Sequence, residues 1–179
     1  MANDQGAPSL HGPTAATDAE AQQLALSEPK IRKIYDYWSG KRRGDALPAR
    51  RDIDPVDVHD CLSALMILDV VDGGRDFRIR LAGSQIEEAH DRSLMGLLVG
   101  DIGEGEELAV MLERFRAIVG TRLPDFRSVS LSMVGRAFIE FDRVALPLAE
   151  DGQTVSHILC CYVQRQREAQ VRPRSSGAP

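Results

Sequence analysis

The sequence is short of cysteine, of excess positive charge and of long apolar runs. Its three cysteines, two of them adjacent, cannot build a disulfide framework and fit buried thiols in a reducing compartment. Basic residues number 22 against 27 acidic, a net charge of -5, which argues against a general nucleic-acid binder. No apolar stretch approaches the roughly 18 residues of a membrane span, and residues 1–22 lack the basic-then-apolar order of a secretory signal. A cytoplasmic location is therefore expected. His11, His59, His90 and His157 have no close partner at metal-ligand spacing. Cys160 and Cys161, successive in a strand, point to opposite faces, so no metal site is expected. The Gly-x-Ser-x-Gly nucleophile elbow is missing at Ser84. The Gly-rich stretch 100–105 sets Asp101, Glu104, Glu106 and Glu107 where a phosphate would have to sit. Neither catalytic residues nor a cofactor-binding motif emerge, and the chain reads as a non-enzyme.

What is present suffices for one core: 179 residues, 43% of them hydrophobic. Residues 1–19 are read as disordered and 20–45 as an N-terminal helical region. Ser27 is its N-cap, Pro29 sits in its first turn, and Ile31, Ile34, Tyr35 and Trp38 fall at i, i+3, i+4, i+7. Gly40 with Lys41, Arg42 and Arg43 marks its end. The domain proper spans 46–165, followed by a disordered tail, 166–179. Within it a short helix or turn of helix runs from Asp54-Pro55 to about Leu62.

Residues 64–71 are apolar on both alternating sets, and 76–82 alternate cleanly, with Arg78 and Arg80 outward. Short helical pieces fill 83–105. A helix spans 106–119, with Leu108, Met111, Leu112, Phe115 and Val119 on one stripe, and Gly120 stops it. Strands follow at 126–133 and 136–146, and the last two strands join through the polar turn 150–153. The run 154–163 is again apolar on both sets, which places it centrally in its sheet. This order gives an α+β domain: a five-stranded antiparallel sheet with helices inserted between strands 2 and 3 and an amphipathic helix in front.

Four stretches carry a family resemblance: Tyr35-Asp36-Tyr37-Trp38; Leu47-Pro48 through Arg51-Asp52-Ile53-Asp54-Pro55; Arg78 to Gly83 with Ile86; and Leu146-Pro147-Leu148 with Asp151-Gly152. In order and spacing they resemble a bacterial PAS family of short single-domain proteins. The resemblance implies a sensory or protein-interaction module, brings no catalytic residues, and puts the first and last strands together at the sheet centre. One sheet face then needs a lid, and Ile31, Ile34, Tyr35 and Trp38 supply it, within the chain or across a homodimer. Met111, Phe115, Met133, Phe138, His157 and Leu159 are the candidates to line a ligand pocket, and the same residues also suit plain core packing. Some PAS domains hold haem through a residue of the inserted helices, where His90 lies. The cysteine of flavin photosensors has no counterpart, since no Cys occurs between Cys61 and Cys160. Two functions are expected: a stand-alone sensor that binds a small ligand in its core and signals through a dimer or partner protein, or a ligand-free interaction module.

Overall fold

The computed structural model describes residues 18–130 and 140–165. Five strands, β1 (Leu65–Val71), β2 (Asp76–Ala82), β3 (Asp125–Ser130), β4 (Glu140–Leu148) and β5 (His157–Gln164), form one sheet in the order β2-β1-β5-β4-β3. Every neighbouring pair is antiparallel. The doubly apolar runs occupy the interior, β5 between β1 and β4, because only a strand covered on both faces can bury both alternating sets. The expected α+β architecture is therefore the observed one. β5 begins at His157 rather than at 154, because Asp151 Oδ1 accepts from the backbone N–H groups of Gln153 and Thr154 at 2.8 and 2.7 Å. That Asx geometry keeps the chain in its turn.

Helices α3 (Ser84–His90) and α4 (Glu106–Thr121) fill the connection between β2 and β3 on one face of the sheet. The other face is covered by α1 (Asp18–Ser27) along β3 and by α2 (Pro29–Lys41) across β4 and β5. Two helices stand where one was expected, and residues 18 and 19 are helical rather than disordered. Ser27 closes α1, and the N-cap of α2 is Glu28, whose carboxylate accepts from Lys30 N at 3.4 Å. The short helix or turn of helix expected from 54 to about 62 takes the form of a turn, in which Asp54 Oδ1 accepts from Val56 N at 2.9 Å, followed by a 3₁₀ segment, His59–Ala64. Neither glycine assigned as a helix stop ends its helix. Gly40 and Gly120 lie inside α2 and α4, and the stop of α4 is Arg122, left-handed at φ 62°.

Ile31, Ile34 and Trp38 are fully covered by the chain's own sheet, and Trp38 Nε1 donates to Pro147 O at 2.9 Å. Tyr35 is half-buried against Phe126, with ring centroids 5.5 Å apart. The stretches that suggested the family turn out to be scaffold. Tyr37 Oη accepts from Asp54 N at 2.9 Å and lies 3.0 Å from Asp57 Oδ2, which ties α2 to the following loop. Leu47 N donates to Gly152 O and Ala149 N to Pro48 O, which ties that loop to the β4–β5 turn. Gly83 runs so close to the preceding 3₁₀ segment that a Cβ there would lie 2.3 Å from Leu62 O. Only glycine fits that approach. The basic segment is also engaged locally: Lys41 and Arg42 stack over Tyr37 and Trp38, and Arg51 pairs with Glu150 at 2.9 Å.

Candidate functional site

Strand register decides which side chains share a face. Val144, Leu146 and Leu148 lie opposite Cys161, Leu159 and His157 on the α1/α2 side, while Arg143 and Ala145 lie opposite Tyr162 and Cys160 on the α3/α4 side. A cavity of about 40 Å³ lies on the second side, between Met66, Ile86, His90, Phe115, Phe141 and Tyr162, with Met111 and Val129 at its margin. Its lining is apolar apart from His90 and the Tyr162 phenol. Of the expected pocket residues, Met111 and Phe115 line it. His157 and Leu159 do not: they occupy the opposite parity of β5 and face the α2 side, a correction that follows from the period of two along a strand. Met133 and Phe138 lie outside the described residues.

His90 is more than half-buried, and its Nδ1 lies 2.8 Å from Ile86 O. That contact makes Nδ1 the protonated nitrogen of the neutral ring, and burial lowers its pKa. The surrounding space falls far below the roughly 300–1,000 Å³ of a drug-sized ligand site, so the residues here do not fit a haem. Among the described residues no group of three His, Cys, Asp or Glu side chains could hold a metal ion.

The most unusual group on this face is Arg143, 1% exposed in the middle of the sheet. Its Nη2 donates to Asp125 Oδ2 at 2.5 Å, and its guanidinium stacks 4.9 Å above the Phe115 ring. Arg127 Nε is 3.4 Å and Arg114 Nη1 4.0 Å from Asp125 Oδ1, so three guanidinium groups crowd one carboxylate. Nε and Nη1 of Arg143 are buried, and the Tyr162 phenol on the neighbouring strand lies beside the guanidinium. These groups border a groove of about 500 Å³ lined by Val110, Met111, Arg114, Arg127, Val129 and Arg143. Met111 and Val129 line groove and cavity alike. Arg143 stands outside the residues expected from the sequence. The available signal was a lone charge at the start of Val144-Ala145-Leu146-Pro147-Leu148, where a strand reads as interior.

The remaining reactive groups are quiet. Burial pushes the Cys160 thiol up to about 12 and Cys161 higher still, which removes their nucleophilic thiolate. Ser156 Oγ, His157 Nδ1 and Asp69 form a connected chain, but Asp69 Oδ1 is bound at 2.6 Å by Arg80, and the arrangement is an ion-pair network at the start of β5.

Burial lowers the pKa of His157 as it does that of His90. In both, the neutral ring is favoured on folding, so the unfolded chain binds these protons more readily. Stability is then fully present above the ordinary value of 6.5 and is lost as pH falls through the lower folded values. Urea unfolding at pH 7.5 and 5.5 is expected to show a lower midpoint at the acid pH, with a smaller drop in His90→Gln.

A sheet ordered 2-1-5-4-3, with helices inserted between its second and third strands and an interior pocket beneath them, defines the PAS class of α+β sensory and regulatory modules. The PAS domain family matches residues 26–163, and the chain belongs to that family. Among solved structures, the chain is similar to the LOV protein of Rhodobacter sphaeroides, at 12% identity and a TM-score of 0.48, over 59% of this chain and 61% of that one. It is also similar to the PAS domain of BvgS from Bordetella pertussis, at 15% identity and a TM-score of 0.47, over 63% and 84%. This chain thus spans about three fifths of the LOV protein. No curated protein matches the sequence. Among the described residues, no helix is long and apolar enough to cross a membrane.

Proposed function

We propose that this PAS domain is a sensory or regulatory module that takes a small molecule between the sheet and α3/α4 and signals through a homodimer or a protein partner. The observation that supports it is the small cavity beside Phe115 and Phe141, sharing Met111 and Val129 with a groove roomy enough for an organic ligand. A ligand seated there touches α4 directly, and α4 reaches β4 and the Asp72–Gly74 turn, so its position reports occupancy. A second copy does not dock on Ile31, Ile34 or Trp38 while α2 stays on its own sheet, since the chain already covers them. Any dimer then uses another surface or exchanges the helix.

One observation favours a second reading. The enclosed space is only about 40 Å³, room for about one or two waters. A nearly filled core suits a ligand-free interaction module. Native mass spectrometry of the protein as purified separates the two, because it reports subunit count and bound mass together. A defined adduct, lost when Met111→Trp obstructs the junction of cavity and groove, supports the sensor. An adduct-free protein that captures a partner supports the interaction module.

A further inference from the structure

Resting on the sensor reading, we infer that the ligand is a small neutral aromatic molecule with one O–H or N–H donor, of the phenol class, and that Nε2 of His90 accepts from it. Only two side chains in the cavity lining carry nitrogen or oxygen, His90 and Tyr162. The Tyr162 phenol is engaged by the Arg143 guanidinium and by Cys160. Nδ1 of His90 is engaged by Ile86 O at 2.8 Å. Nε2 has no partner among the described residues, which leaves it as the side-chain atom of the lining able to fix a ligand's orientation.

The chemistry of that nitrogen sets the ligand class. With the proton on Nδ1, Nε2 carries a lone pair and no hydrogen, so it only accepts. Burial, and then the Arg92 charge, favour the neutral ring, so the acceptor persists at neutral pH. A carboxylate or phosphate brings further acceptors and gains nothing there. A hydroxyl or a ring N–H supplies the missing hydrogen. The walls select the rest of the molecule: Met66, Ile86, Phe115 and Phe141 are apolar, and the two phenylalanine rings suit contact with a third. The enclosed space of about 40 Å³ admits the donor end. The ring then lies against Met111 and Val129, which border cavity and groove alike, and Met111 is unbranched and adapts its shape to it.

The test is an NMR titration of the whole chain with phenol, and with toluene as a probe of like shape that lacks the donor. The reporter is the Nε2 resonance of His90, assigned by its loss in His90→Gln. Phenol is expected to bind saturably and to move that resonance, and toluene to leave it in place. The ratio of phenol to toluene affinity is expected to fall about three- to tenfold in His90→Leu, the worth of one neutral hydrogen bond. Should His90→Leu fail to fold, the resonance in the parent protein decides. Phenol that binds without moving the resonance overturns the inference, as does an unchanged affinity ratio in His90→Leu or the absence of any saturable response to phenol. Saturable binding of both probes with that ratio unchanged retains the sensor reading and discards the donor. Protein that is free of any adduct as purified and silent to both probes discards the two together.

Discussion

Asp125→Ala is expected to destabilise the domain by about 3–5 kcal/mol, the cost of stranding a buried charge. Arg143 is taken out of water within the sheet, and Asp125 is the carboxylate that compensates it, at 2.5 Å, while also drawing in Arg127 and Arg114. Once the carboxylate is gone, the guanidinium of Arg143, 1% exposed, keeps the Phe115 ring and the Tyr162 phenol as favourable contacts but no countercharge from Asp125. A cation–π contact of that kind contributes on the order of 1–2 kcal/mol and cannot replace the ion pair. The double variant Asp125→Ala/Arg143→Met is expected to recover most of the loss, because it removes the uncompensated charge and keeps the stem volume. Urea unfolding of the single and double variants checks this. A single variant within about 1 kcal/mol of the parent would mean that Arg143 finds other compensation.

Trp38→Ala is expected to cost about 3–5 kcal/mol, as large-to-small changes of a buried aromatic do. Trp38 is 1% exposed, stacks near Tyr35 with centroids 6.1 Å apart, and donates to Pro147 O. It is the largest side chain joining α2 to the sheet, so the cavity left behind lies between the two layers where neither can easily collapse. Trp38→Phe separates the contributions. It keeps much of the apolar volume and loses the indole N–H, so Pro147 O is left without that donor and about 1–3 kcal/mol is lost. Thermal unfolding by circular dichroism measures both variants. An unchanged midpoint in Trp38→Ala would contradict packing of α2 on its own chain.

The sheet was legible because burial leaves a direct trace in alternation. Leu65 to Val71 and the run through Ile158, Leu159, Cys160 and Cys161 are apolar on both sets, and both proved interior. Helix ends were less legible. Ser-Glu-Pro at 27–29 offers two capping residues, and only the packing of α1 decides that Ser27 ends one helix and Glu28 caps the next. α1 is faint in the sequence because Asp18–Ser27 has only Leu24 and Leu26 as large apolar residues, two apart, so no helical stripe announces it. The pocket was half legible. Met111 and Phe115 follow from the stripe of α4. Alternation, however, sorts β5 into two sets without saying which set meets the inserted helices, and Leu159 and His157 belong to the other. Arg143 was hidden for a different reason: its meaning depends on Asp125, eighteen residues away and brought beside it by pairing of β3 with β4.

The central claim is that a small molecule occupies the α3/α4 side of this sheet, and native mass spectrometry of the purified protein tests it most directly. The account predicts a defined extra mass on each subunit, absent from the Met111→Trp protein at equal thermal stability. Parent protein of bare polypeptide mass would contradict it.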